Sequence, residues 1–153
     1  MSICSRYSRS EDEAVEILND GYYKIMTNLD KYTHTLSFKG WLRTIMVNAS
    51  IDYYRRNEKH HHNVDISYIK NEAVSPEIWN QFSEDDILKV VQELPPSYRV
   101  VFNLYVIEGY KHDEIAEELG ITAGTSRSNL NIARIKLMKA LSFKMERNKK
   151  QNG

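Results

Sequence analysis

The sequence predicts an all-α fold of two small helical domains joined by a linker. Three observations carry that prediction. Six glycines and three prolines in 153 residues are too few for a turn-rich β protein. Apolar residues recur at steps of three and four through several long segments. Ser10, Ser83 and Thr122 each stand one residue ahead of such a segment, where a hydroxyl can accept a bond from the first turn of a helix. With 41% hydrophobic and 27% charged residues the chain is globular, and 17.9 kDa is one ordinary domain or two small ones.

The elements follow in order. Ser10 caps a helix through 11–29, with Glu11, Asp12 and Glu13 facing the positive end of its dipole and Ala14, Ile17, Leu18 and Ile25 at helical spacing. Residues 31–39 form a short polar and aromatic break. A second helix spans 40–56, with Leu42, Ile45, Met46, Ala49 and Tyr53 on one stripe. Residues 57–82 lose the periodicity and read as a linker with one short helix after Pro76. Ser83 then caps an amphipathic helix bearing Ile87, Leu88, Val90, Val91 and Leu94. The pair Pro95-Pro96 ends it and opens the next helix, which runs to about Glu108 and stops at Gly109. A helix over 111–119, a turn at Gly120, an inward Ile121 and a cap at Thr122 lead into a final helix over 123–146. Leu130, Ala133, Leu137 and Leu141 share one face of it.

Several classes of function fall away. No apolar run approaches the roughly 18 residues of a membrane span, and residues 1–10 lack the apolar core of a secretory signal, so a cytoplasmic location is expected. A single cysteine, Cys4, excludes a disulfide framework and reads as a packing residue. His60, His61 and His62 are consecutive, so they cannot share a helix face, and a solvated linker is the better reading than a metal site. No phosphate loop, serine elbow or paired-histidine zinc motif is present. The expectation is a protein without catalysis, metal or cofactor. Its formal net charge of zero hides an acidic middle and a basic end: residues 121–153 hold eight Lys and Arg against one acid, Glu146.

Two constellations carry chemistry. The segment EIAEELGITAGTSRSNL is a helix-turn-helix signal: a small residue at the crossing, a glycine in the turn, an apolar seal and a capped helix. The basic charge falls on the helix that would enter a major groove. The segment SFKGWLRTIMVNASIDYYRR interleaves Phe38, Trp41, Tyr53 and Tyr54 with Lys39, Arg43, Arg55 and Arg56, as single-strand binding requires. On composition alone, packing in the core is the better account of those aromatics.

Taken together, the constellations resemble bacterial RNA polymerase sigma factors of the extracytoplasmic-function group. The pattern FxGWLxxIxxNxxxDxxR is met from Phe38 to Arg55, and LPPSYRVVFNL precedes the helix-turn-helix. The resemblance covers nearly the whole chain. It implies region 2 over 1–56, for core polymerase binding and the −10 element; a linker over 57–82; region 4 over 83–146, for the −35 element; and a basic tail over 147–153. It implies polymerase contact at Glu16, Asn19 and Asp20, with Asn19-Asp20 standing where the family usually has Gln-Glu. It implies −10 contacts at Ser37, Phe38, Lys39, Trp41, Arg43 and Asn48, with Arg55 and Arg56 on the backbone. It implies −35 contacts at Thr125, Ser126, Arg127, Ser128, Asn131 and Arg134. The implied partners are core RNA polymerase, promoter DNA and an anti-sigma factor.

Three departures from the pattern stand out. The family commonly carries a longer first helix, of which MSICSRY alone matches here, leaving a first domain small for an isolated core. Ser126 stands where Val is frequent, and Ile132 where Arg is common. Two other functions remain open at this point. One is a stand-alone helix-turn-helix regulator, which predicts a dimer on a palindromic site. The other is an inactive or inhibitory sigma fragment.

Overall fold

The computed structural model of the chain describes residues 2–35, 37–57 and 82–151, with side chains as far as Arg147. The regular secondary structure of the described residues is helical, with no strand among them. In order they form α1 (Ile3–Tyr7), α2 (Glu11–Thr27), a 3-10 turn (Leu29–Lys31), α3 (Phe38–Asn57), α4 (Glu84–Glu93), α5 (Pro96–Phe102), α6 (His112–Leu119) and α7 (Ala123–Gln151). The histidine run and the short helix expected after Pro76 lie outside the described residues.

Local chemistry explains the boundaries. Ser10 Oγ accepts from the Glu13 amide at 3.3 Å, and Ser83 Oγ from the Asp86 amide at 3.2 Å. Thr122 Oγ1 accepts from the Thr125 amide at 3.0 Å and so opens α7. Pro96 starts α5, where its missing amide hydrogen costs nothing. That helix widens into a π-helical turn over Asn103–Ile107, and Gly109 leaves it at φ +78°. Gly120, at φ +65°, ends α6 in the left-handed conformation, and the Ile121 amide turns back to the Ala116 carbonyl.

The C-terminal half closes around the predicted stripe. Leu130, Ala133, Leu137 and Leu141 are buried against Val91, Val101, Leu104, Ile115 and Leu119. In the N-terminal half α2 crosses α3 at Gly21, where an added Cβ would collide with the Met46 thioether. The stripe expected on α3 is only part of what it buries. Val47, Ala49, Ser50 and Ile51 are the buried residues, whereas Met46 and Tyr53 are half-buried. A central helix covered on more than one side shows no single apolar face, because it packs against α2 and also against α5 and α6. On α2, Ile17 is buried but Leu18 points outward.

The two halves share one core. Helix α1 packs on α2, α3, α4 and α5. Gln92 Nε2 donates to the Ser5 carbonyl at 3.0 Å, and buried Asn103 donates through Nδ2 to the carbonyls of Arg6 and Arg99, both at 2.9 Å. Arg99 is itself buried; its guanidinium donates to the Gln92 carbonyl at 2.8 Å and is pushed down to about 10 by desolvation. Glu108 ties three elements together. Its Oε1 meets Arg6 Nη2 at 2.9 Å, its Oε2 meets Arg43 Nη2 at 2.8 Å, and its side chain is 4% exposed. Arg55 reaches from α3 to α6, donating through Nε to the Glu118 carbonyl at 2.7 Å and through Nη2 to Glu118 Oε2 at 2.9 Å.

Removing a buried carboxylate shared by two arginines leaves both guanidiniums short of a partner. Breaking such a pair from one side costs about 3–5 kcal/mol when both partners are buried, and Arg43 is half exposed, so the lower end applies. Glu108→Gln is expected to lower stability by about 3 kcal/mol in urea unfolding, with Arg43→Gln costing well under half as much. Equal losses in the two variants would contradict this account of the contact.

Candidate nucleic-acid interface

The first candidate surface lies at the start of α3. Ser37 Oγ accepts from the Gly40 amide at 3.1 Å, so its hydroxyl opens the helix. Four rings gather beside it. Tyr32 lies edge-on to Phe38 at 5.4 Å and tilted to Trp41 at 5.4 Å, His34 sits edge-on to Tyr32 at 4.8 Å, and Phe38 stacks on Trp41 at 5.7 Å. Phe38 is 47% exposed, which is far more than a core aromatic requires. The rings therefore pack on one another without leaving solvent. Beside them runs a groove of about 600 Å³, lined by Lys24, Asn28, Lys31, Trp41, Asn48, Asp52, Arg55 and Glu118 among others. Its lining mixes Lys24, Lys31 and Arg55 with the carboxylates of Asp52 and Glu118, which pair with Lys24 and Arg55, and adds amides and one indole that a nucleobase could stack on.

The other predicted residues of this surface are placed unevenly. Lys39 and Asn48 are exposed, and Asn48 lines the groove. Arg43 and Arg55 are engaged by Glu108 and Glu118. Arg56 is paired with Asp20 of α2, and that bond holds its guanidinium above the ordinary arginine value. Glu16 and Asn19 are exposed on α2, and Asp20 is half-buried in its pair with Arg56. Around them runs a row that the sequence reading did not single out. Val15, Leu18, Tyr22 and Met26 follow at steps of three, four and four and are all exposed. The sign was available: α2 carries apolar residues around more than one face, and one helix side cannot bury them all.

The second candidate surface is the helix-turn-helix of α6 and α7. Thr125, Arg127, Ser128, Asn131 and Arg134 are exposed. Arg127, Asn131 and Arg134 stand at steps of four and three on one side of α7. Ser126 differs. It is fully buried, and its Oγ lies 2.9 Å from His112 Nδ1. The His112 ring stacks on Tyr105 at 4.4 Å, and the Arg134 guanidinium lies over the same tyrosine, 5.9 Å from its centroid. Ile132 is half-buried and packs against the core. Neither His112 nor Tyr105 follows a charge pattern, so the sequence carries no sign of this contact.

Among the described residues no group of three or more His, Cys, Asp and Glu could hold a metal ion, and no helix is long and apolar enough to cross a membrane.

This is a helical protein with two separate polar surfaces suited to nucleic acid, one aromatic and one basic. Comparison with known proteins gives the class a family. The sequence model described as Sigma-70 region 2 matches residues 1–60, and that described as Sigma-70, region 4 matches residues 84–137. The chain is 26% identical over 136 residues to RNA polymerase sigma factor SigV of Bacillus subtilis, covering 87% of this chain and 78% of that one. It is 27% identical over 140 residues to ECF RNA polymerase sigma factor SigE of Mycolicibacterium smegmatis, covering 86% of this chain and 53% of that one. The fold matches the sigma factor RpoE of Bartonella quintana, solved in complex with the anti-sigma factor NepR, at a TM-score of 0.56 and 23% identity over 92% of this chain and 88% of that one. The chain belongs to the sigma-70 family. It acts in promoter recognition as an RNA polymerase sigma factor.

One pH dependence follows from the second surface. Burial, Arg127 and Arg134 lower the His112 pKa below its ordinary 6.5, and Asp113 opposes them. The folded state therefore favours neutral imidazole. That contribution to stability is complete above pH 6.5 and is lost as pH falls through the lowered folded value. Urea midpoints should drop between neutral pH and about pH 5 by less in His112→Gln than in the wild-type chain. An equal drop in both chains would remove His112 from the explanation.

Proposed function

We propose that this chain belongs to the extracytoplasmic-function group and directs polymerase with two heads. In this reading residues 1–56 form region 2, which docks on polymerase and opens the −10 element, and residues 83–146 form region 4, which reads the −35 element. The sigma subunit supplies no catalysis; bond formation belongs to the polymerase. The single observation that carries the reading is the co-existence of an exposed aromatic cluster over a groove on α3 with an open basic face on α7.

The physical roles divide as follows. Flipping a base out of a duplex costs a few kcal/mol, and stacking on an aromatic returns about 1–3 kcal/mol per base. Phe38 and Trp41 offer that stacking, Asn48 a polar edge, and Lys39 a contact to phosphate. Ser37 holds the start of α3 while remaining exposed. Arg43, Arg55 and Arg56 reach the backbone only after exchanging their present carboxylate partners for phosphates. On α7, Thr125 and Ser128 suit phosphate or base edges, and Arg127, Asn131 and Arg134 have the donors that base reading needs. Ser126 contributes from beneath. On α2, Glu16, Asn19 and Asp20 give polar specificity to a polymerase contact, and Val15, Leu18, Tyr22 and Met26 give it apolar area.

The closed packing bears on this reading. The −10 and −35 elements stand more than two helical turns apart, over roughly 70 Å at 34–36 Å a turn. One packed body of this size cannot reach both, so the two halves part on the promoter, and polymerase is the scaffold that holds them apart. An anti-sigma factor, such as the one bound by the Bartonella quintana neighbour, is the natural antagonist of that opening.

The test is abortive initiation with core polymerase and a pool of randomised promoters. The reading predicts paired enrichment at −10 and −35. Phe38→Ala and Trp41→Ala should each lower open-complex formation about 5- to 150-fold, in line with about 1–3 kcal/mol per stacked base, while leaving polymerase binding intact. Transcripts from the wild-type chain with no effect of either variant would remove the aromatic cluster from the opening step. Polymerase binding without any transcripts would instead favour an inactive sigma fragment.

A further inference from the structure

Ser126 is fully buried on the second turn of α7, inside the helix-turn-helix. A buried hydroxyl is costly unless it is hydrogen-bonded, and unlike a methyl group it accepts only certain geometries. Its partner is His112 Nδ1 at 2.9 Å. His112 is the first residue of α6, so this one bond ties the start of the first helix of the motif to the start of the second.

The same imidazole has a second contact. It stacks on Tyr105 of the π-helical turn with ring centroids 4.4 Å apart and planes 19° from parallel. The Arg134 guanidinium lies over that tyrosine at 5.9 Å from its centroid. A continuous run therefore leads from a buried hydroxyl, through His112 and Tyr105, to an exposed arginine two turns further along α7. The hydrogen bond sets the rotation of α7 about its axis at Ser126, next to Arg127 in the chain. The stack sets the aim of Arg134. Hydrogen-bond reading of bases tolerates errors of only about 0.5 Å and 10–20°.

We propose that His112 is the positioning residue of the DNA-reading helix, fixing the rotation of α7 through Ser126 and the aim of Arg134 through Tyr105. This rests on the reading of α7 as the −35 head. It assigns to His112 an effect on which bases are preferred as well as on how tightly they are held.

The experiment uses the full chain assembled with core polymerase and a pool of duplexes randomised across the upstream element. Affinity, base preference and the melting temperature of the free chain are read together. His112→Ala should weaken upstream binding about tenfold, the scale of one misaimed base contact, and broaden the selected motif. His112→Asn keeps a hydrogen-bonding atom near the Nδ1 position but no ring, and should recover part of the affinity. The pair His112→Phe with Ser126→Ala keeps a ring on Tyr105 and removes the orphan hydroxyl. It should regain the melting temperature while the motif stays broadened. If His112→Ala, or the double variant where His112→Ala does not fold, selects the wild-type motif at wild-type affinity, the proposal is overturned and the contact is structural only. If wild-type holoenzyme transcribes yet selects no upstream motif, the assignment of α7 as a reading helix fails and the proposal falls with it.

Discussion

Much of this structure turns on one carboxylate. Glu108 lies where the π-helical turn runs out, almost wholly out of solvent, and it receives Arg6 from α1 and Arg43 from α3. An unpaired carboxylate in that place would be prohibitively costly, and with two guanidiniums it becomes a junction. The junction joins the N-terminal helix, the helix bearing the aromatic cluster, and the module bearing the helix-turn-helix. The buried Asn103 amide reinforces it by bonding to the Arg6 carbonyl from the same turn. The π-helical widening over Asn103–Ile107 therefore carries contacts on its inner side to α1 and on its outer side, through Tyr105, to α7.

This arrangement places electrostatics in competition with function. Arg43 and Arg55, the cations proposed for a promoter strand, are both held in the closed chain by acids of the other half. Arg43 meets a carboxylate that is nearly buried, whereas the Arg55–Glu118 pair, about half exposed on both sides, is worth only about 0–1 kcal/mol. Phosphates in a strand, with several charges and released counterions, compete well against partners that weak. Closure is thus reversible in character at Arg55, and firmer at Glu108, where burial is nearly complete on the side of Arg6.

The sequence was most legible where one residue sets local geometry. Ser10, Ser83 and Thr122 cap the helices expected of them, Gly109 and Gly120 take positive φ, and the Leu130–Leu141 stripe of α7 is buried. It was less legible where tertiary neighbours decide. The stripe on α3 could not reveal a helix packed on several sides, and Leu18 counted as core although it faces outward. The junction at Glu108 spans 102 positions to Arg6 and 65 to Arg43, separations at which no periodicity speaks. At the candidate site, residue types were readable but partners were not. Ser126 stands in the motif beside exposed residues, and its burial against the His112 ring depends on a partner 14 positions away that no local pattern reveals.

The central claim is that one chain carries two DNA-reading heads which lie together when free and part when polymerase holds them. The most direct test is the distance between spin labels at Thr44→Cys on α3 and Ser142→Cys on α7, both exposed sites, with buried Cys4 as the native thiol. The account predicts a single short distance in the free chain and one longer by roughly 30 Å or more on polymerase at a promoter, as elements over two helical turns apart demand. An unchanged short distance in a complex that transcribes would contradict it.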